Sequence, residues 1–357
     1  MRTLLKQMAN RVHLAMLLGV AVCSGAAAAP TTYSIRAVNT PLTAWVAARP
    51  HASPDTLPAF ETPAPRISQF RDLLQSLLDR KWAKASAQAR AMNYLLVRIR
   101  EAGSTFIVAS DDSDTGRDPT VVINLNPKRD LVVGAPHVPF EQGTAEQATV
   151  LLRDLAGRAA IVSGAHRCAS RSFTRCDGRT DVCGTLQSFR DSDVGHNVAT
   201  LYHAAHVLFA ERWRSSIVMS LHGMSEDDEG VRTSLIVSNG IRAGDPAQRT
   251  VATRLRARLT RWIMQPGAVV SCNLAADSVH DYRKLCGLTN VQGRHVNGDS
   301  NACRGDVDAG TGRFIHLEQD PAVRQPYTEK SAQIKGQRFH IALTRGLAMV
   351  LPRARAR

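Results

Sequence analysis

The chain has 357 residues, 44% of them hydrophobic, enough for a full buried core and too apolar for a disordered polymer. Its formal charge of +14 favours an acidic partner, such as an anionic polymer or cell-envelope material. Aromatic residues make up only 5%, so stacking platforms for single-stranded nucleic acid are scarce, and no specific nucleic-acid partner is expected.

The first 29 residues read as a secretory signal peptide. Arg2, Lys6 and Arg11 form a basic start, Leu14 to Val22 an apolar stretch, and Ala26 to Ala29 a small-residue cleavage site. The expected location is therefore secreted or periplasmic, with no transmembrane segment in the mature chain. Residues 30–65 carry seven prolines and read as an extended arm or linker. The remaining chain, 66–352, reads as one domain, followed by a short basic tail, 353–357.

From Arg66 to Glu101 apolar residues recur at three and four, a helical period that includes Phe70, Leu73, Leu74, Leu77 and Leu78. Two β-rich runs follow, Thr105 to Ala109 and Val121 to Leu125, joined by an acidic turn at Asp111 to Asp114. Leu131 to His137 is a strand ending in histidine. Thr144 to Gln147 reads as a capping box that opens a helix to about Gly157. Ala159 to Ala165 is a strand ending at His166 and Arg167, and Val198 to Trp213 a helix. Ile217 to His222 is a second strand ending in histidine. Ser234 to Val237, Val269 to Cys272 and Arg313 to Leu317 are further strands, and Ala247 to Met264 a further helix. Alternating strands and helices predict a three-layer α/β/α domain with a mixed, mostly parallel sheet.

Without the signal, six cysteines remain: Cys168, Cys176, Cys183, Cys272, Cys286 and Cys303. An even count in an exported chain reads as disulfides, and six cysteines allow 15 pairings. They lie in two loop-like clusters rich in Gly, Asp, Arg and Asn. A structural zinc knuckle is the rival reading, but no tight Cys-x-x-Cys pair is present.

The chemistry concentrates at strand ends, where open α/β sheets gather their ligands. His137 and His222 each close an apolar run, and Glu141 follows His137 across a Pro-containing turn. Two histidines and one carboxylate make the three-ligand shell of a catalytic zinc with one open position. Glu146 is a rival carboxylate, although a helix dipole already explains an acid in the first turn. Glu318 ends a third run, in which alternation puts Phe314, His316 and Glu318 on one face. Beside zinc it is the candidate general base. His166 and Arg167 at one strand tip, and His196 and Asn197 at the start of the next helix, face the same crevice as candidate substrate contacts. Arg294, in the polar stretch Asn290 to Asn297 with no helical or strand period, is another. His203 and His206 read as surface or second-layer histidines, and Asp227, Asp228 and Glu229 as a mobile charged loop. No Gly-x-Ser-x-Gly elbow, His-Glu-x-x-His helix, phosphate loop or dinucleotide fingerprint occurs.

Ala135-Pro136-His137, with Glu141-Gln142-Gly143-Thr144-Ala145-Glu146, resembles the metal-binding segment of phage-type poly-γ-glutamate hydrolases. Those are relatives of the zinc carboxypeptidases and, more distantly, of the N-formylglutamate amidohydrolases. Ser220-Leu221-His222-Gly223 resembles their second metal segment, and Phe314 to Glu318 the strand with their catalytic glutamate. The scattered similarity covers roughly residues 130 to 325. It implies a zinc-carboxypeptidase-like fold and an exported zinc-dependent amidohydrolase or peptidase acting on a peptide or a glutamate-type polymer. Two other readings stand beside it: a non-catalytic exported binding protein on the same scaffold, and a basic envelope-associated protein.

Overall fold

Five parallel and four antiparallel pairings build one ten-stranded mixed sheet, in the order β1-β2-β3-β4-β6-β5-β9-β12-β10-β11. The structure is a computed structural model that describes residues 35–225, 233–242, 249–263, 269–272, 285–305, 307–328 and 338–355. All of them belong to a single unit, Tyr33–Arg357. The segment read as a signal peptide, residues 1–29, and the acidic residues 227–229 lie outside the described residues.

The strands are β1 (Arg36–Val38), β2 (Tyr94–Glu101), β3 (Ser104–Asp111), β4 (Thr120–Asn124), β5 (Leu131–Ala135) and β6 (Ala159–Val162). After a small hairpin, β7 (Arg179–Thr180) with β8 (Gln187–Ser188), come β9 (Ile217–Leu221), β10 (Leu235–Ser238), β11 (Val269–Ser271) and β12 (Phe314–Gln319). The four neighbouring strands β6, β5, β9 and β12 run parallel, so their carboxyl ends share one edge. Strands β5, β6 and β9 are buried along their whole length. Their continuous Val/Ile/Leu/Ala runs are what burial on both faces demands.

Two cores confirm the three layers. On one face Val133, Leu131 and Val162 pack against α1 (Leu42–Ala47), α4 (Thr144–Asp154), α6 (Val251–Trp262) and α9 (Arg338–Val350). On the other, Val132 and Ile161 pack against α2 (Ala64–Leu78), α3 (Trp82–Ala91) and α5 (Leu201–Arg212). The alternation of neighbours Leu131, Val132 and Val133 between the two cores is the period of two read through the sheet. Two further helices, α7 (Val291–Val296) and α8 (Pro321–Thr328), flank β12 in sequence. Among the described residues no helix is long and apolar enough to cross a membrane.

Four expectations need correction. The helical period from Arg66 does not continue to Glu101. Arg80 and Asn93 adopt φ of 57° and 59°, which breaks the segment into two helices and the edge-ward strand β2. The proline-rich segment is not an extended arm over its described length. It supplies β1 and α1, and Leu42, Trp45 and Phe60 are buried in the cores, because prolines start its helices at Pro41 and Pro63 without preventing apolar burial. The capping box at Thr144 is absent. Gly143, at φ 86°, takes the cap position, and the Thr144 hydroxyl donates to the Glu141 carbonyl instead. The stretch from Asn290 is helical after all, with the Asn290 side chain accepting from the Gly293 amide at its start.

The six cysteines form three disulfides, Cys168–Cys183, Cys176–Cys303 and Cys272–Cys286. The second joins the two clusters across a sequence separation of 127 residues. In the chain-entropy account, closing a loop of that length removes about 5 kcal/mol of unfolded-state freedom. Thiol alkylation of the unreduced mature chain should label no cysteine. Changing both Cys176 and Cys303 to Ser should lower the unfolding free energy by about 2–5 kcal/mol in urea titrations. A labelled pair, or an unchanged midpoint, would remove this bridge from the folded protein.

His203 and His206 on α5 are buried, not on the surface. Burial, with the neighbouring histidines, pushes both imidazoles down to about 3, so both are neutral in the fold. An unfolded chain protonates them below the ordinary value of about 6.5. Their contribution is therefore complete above that value and is lost as pH falls from there toward 3. By pH 5 the loss reaches about 2 kcal/mol for each histidine. Urea midpoints measured at pH 6.5 and pH 5 should show it. Equal midpoints would mean that these imidazoles charge inside the fold.

Candidate metal centre

The edge shared by β5, β9 and β12 carries the residues at issue. β5 ends at Ala135, and a turn closed by the Glu141 amide donating to the His137 carbonyl folds Glu141 back toward the imidazole. His222 follows β9 directly. In the β9–β12 pairing Ser220 faces His316 and Leu221 faces Leu317, so Glu318 arrives beside His222. All of these side chains are nearly fully buried.

His137 Nδ1 lies 2.7 Å from Glu141 Oε1 and 3.2 Å from His222 Nδ1, while His222 Nδ1 lies 3.5 Å from Glu141 Oε2. Two imidazole nitrogens approach to that distance only with a proton or a cation between their lone pairs. Four ligands placed tetrahedrally about 2.0–2.1 Å from zinc are separated by roughly 3.3 Å. The three separations here, 2.7 Å to Oε1, 3.5 Å to Oε2 and 3.2 Å between the two nitrogens, lie on either side of that value. Glu141 Oε2 is also buried and makes no hydrogen bond, its nearest partner being His222 Nδ1 at 3.5 Å, which leaves room for a cation to satisfy it. The donor set thus fits zinc.

The far sides of both rings are occupied. His137 Nε2 lies 2.8 Å from Asp193 Oδ1, and Arg167 donates to Asp193 Oδ2 from Nε and Nη2 at 2.9 and 2.6 Å. His222 Nε2 lies 2.9 Å from Ser220 Oγ. Oxygen partners at Nε2 leave Nδ1 of each ring for the centre, the arrangement that orients metal-ligating histidines. Gly195 makes room for it, since a Cβ there would lie 2.9 Å from His137 Nε2.

Burial and the Arg167 charge oppose a proton on His137, but Glu141 and Asp193 outweigh them and push it up to about 9. Although burial works against the charge, the flanking imidazoles hold the Glu141 carboxyl well below the usual range, and Arg167 does the same for Asp193. Burial lowers His222. Two buried carboxylates thus face Arg167 and the His137 ring, a strongly acidic surrounding for that imidazole.

Among the described residues, two further groups of potential ligands overlap this one: His137, Asp193 and His196, and His222, His316 and Glu318. In the first, Asp193 already serves Arg167. In the second, the His316 ring stacks on His222 at 4.3 Å, with Nε2 3.7 Å from Glu318 Oε1. His316 Nδ1 is buried without a hydrogen-bond partner. Asp193 and His316 had no role in the sequence reading. Alternation had put His316 on the face of Glu318, whereas nothing periodic marks Asp193 in its loop. Glu146 sits in the first turn of α4 and belongs to none of these groups.

The proposed substrate contacts divide. Arg167 is buried and held by Asp193, with Glu141 3.8 Å away, so it supports the centre. His166 is half-buried, its Nδ1 accepting from the Cys168 amide and its ring edge-on to exposed Phe140. His196 stacks on Phe189 at 3.7 Å with Nδ1 3.0 Å from the Thr289 carbonyl, and burial takes it down to about 3. Asn197 donates to the Asp191 carbonyl and accepts from the Ala199 amide, bracing the loop. Arg294 is a correction. It is fully buried, bonded to Asp177 and to the Leu288 carbonyl, and presents no surface to a substrate.

No protein-family model and no curated protein matches the chain. Among solved structures it is similar to a bacteriophage poly-gamma-glutamate hydrolase at 12% identity, covering 66% of this chain and 88% of that one, with a TM-score of 0.31. An N-formylglutamate amidohydrolase from Ralstonia eutropha JMP134 aligns at 12% identity over 66% of this chain and 95% of the other, with a TM-score of 0.33. An N-acetylmuramoyl-L-alanine amidase from Clostridium difficile 630 aligns at 9% identity over 62% and 95%, with a TM-score of 0.29.

Proposed function

We propose that this chain is an exported zinc-dependent hydrolase that cleaves an amide bond in a peptide or a glutamate-type polymer. The observation that carries the reading is the convergence of His137 Nδ1, His222 Nδ1 and the Glu141 carboxylate, with Oε1 2.7 Å from His137, Oε2 3.5 Å from His222, the two nitrogens 3.2 Å apart and both Nε2 atoms partnered. The motif resemblance at the three strand ends and the signal-like start add to it. His137, Glu141 and His222 would hold the metal. When bound, zinc would polarise the substrate carbonyl and lower the pKa of a water toward about 7.

The rest falls to the chain's own side chains. Glu318 accepts a proton from the attacking water as its oxygen bonds to the carbonyl carbon. The same carboxyl then gives that proton to the departing nitrogen as the C–N bond breaks, so the residue ends as it began. Arg167 and Asp193 keep the His137 ring in place. Exposed Phe140 and half-buried His166, which meet beside Arg167, would be the surfaces offered to a substrate. The net charge of +14 suits an acidic one.

One observation favours a second reading. Protonated His137, bridging Glu141 and Asp193, is satisfied without any metal, as a non-catalytic exported binding protein would need. Metal analysis of the purified mature chain separates the two. About one equivalent of zinc, removed by chelation and restored with activity on γ-linked glutamate peptides, is expected. A chain that takes up no zinc from buffered solution belongs to the second reading.

A further inference from the structure

We propose that Arg324 is a positioning residue that locks together the three chain segments carrying the candidate site, an inference that rests on the reading of that site given above. Arg324 lies on α8, nearly buried at 9% exposure. Its guanidinium donates from Nε to the Gln319 carbonyl at 3.2 Å, from Nη1 to the Gln142 carbonyl at 2.7 Å, and from Nη2 to the Met224 carbonyl at 3.4 Å. Each acceptor adjoins a site residue. Gln319 follows Glu318, Gln142 follows Glu141, and Met224 lies two residues past His222. One planar cation therefore spans the turn after β5, the exit of β9 and the end of β12.

Two observations make the contact specific. A Cβ on Gly223 would fall 2.5 Å from Arg324 Cζ, 2.6 Å from Nε and 2.9 Å from Nη1. The residue after His222 must lack a side chain for the guanidinium to sit where it does. Gln319 extends the lock, donating from Nε2 to the His222 carbonyl at 3.2 Å and pairing reciprocally with Gln147 at 2.7 and 2.9 Å. The rigid fork of arginine reaches the three carbonyls from three separate nitrogens, whereas the donors of lysine all radiate from one ammonium and cannot span the same separation.

The test uses the full mature chain with Arg324→Met, Arg324→Lys and Gly223→Ala. The amides of Glu141, His222 and Met224 are bonded to the carbonyls of His137, Leu317 and Gln319, and hydrogen exchange is measured after chelation. Their hydrogen-exchange protection should fall together in Arg324→Met, while the Arg158 amide, bonded to Leu131 at the far end of β5, keeps its own. With cobalt as the probe metal, dissociation should quicken about 10- to 100-fold and the visible spectrum should shift, as for loss of a partner that orients ligands. Arg324→Lys should rescue only part of this, and Gly223→Ala should reproduce it with the arginine present. Unchanged protection, or equal loss across the whole sheet, would overturn the proposal; if Arg324→Met does not fold, Gly223→Ala is judged by the same criteria. A wild-type chain that takes no metal would defeat the hydrolase reading, while the exchange result would still decide the role of Arg324.

Discussion

His137→Ala and His222→Ala are each expected to empty the proposed metal centre while the fold survives. The reason lies in where the two rings sit. Both follow the carboxyl ends of β5 and β9, and neither belongs to the two apolar cores that hold the sheet between its helices. Deleting either ring would remove a direct ligand of the proposed centre, so the loss of zinc affinity should exceed the roughly 10- to 100-fold that follows loss of a supporting partner. Circular dichroism should keep its wild-type helix content. His137→Ala also leaves Glu141 without its closest partner, whereas Asp193 retains Arg167. A fall in stability of about 1–3 kcal/mol is expected from that buried unpaired oxygen. Stoichiometric zinc in either variant would exclude that histidine from the set. Glu141→Ala and Glu146→Ala, measured alongside, decide the carboxylate. Glu141→Ala should lose the metal and Glu146→Ala keep it, because only Glu141 reaches both imidazoles.

The strand ends were legible because a strand buried on both faces must be apolar throughout, so a histidine that stops such a run stands out. That signal located His137, His222 and the face shared by His316 and Glu318. It could not locate Asp193, whose loop has no period, and so it misread Arg167. An arginine at a strand tip is open to substrate only if no acid returns to meet it, and Asp193 returns 26 residues later. Arg294 failed in the same way, through Asp177 on a distant loop. In the N-terminal part the prolines suggest an extended arm, whereas buried Leu42, Trp45 and Phe60 dock the segment. The leucine period of α2 carried the expected helix past Asp79 into β2, because Tyr94 to Glu101 also contains apolar residues at helical spacing. Local pattern therefore marks the layers and the strand-end residues that meet at the candidate site, and contacts across long sequence separations supply what surrounds them.

Glu318→Gln separates an active hydrolase from a metal-binding relic. The glutamate is buried, in register beyond the β9–β12 pairing that ends next to His222, and 3.7 Å from His316 Nε2. Glutamine keeps the size and the hydrogen-bonding capacity of the side chain but cannot accept a proton from water. Zinc content should therefore stay near that of the wild type while turnover falls by about 10²–10⁴, the range that general acid–base catalysis contributes. Acidic peptides and γ-linked glutamate polymers are the substrates to try first, given the charge of +14. The two ways of failing carry different information. Loss of zinc in Glu318→Gln would place the metal among His222, His316 and Glu318, the overlapping group that shares one ligand with the proposed centre. Retention of both zinc and full turnover would mean that some other group takes the proton, and the division of labour between Glu141 as ligand and Glu318 as base would be wrong.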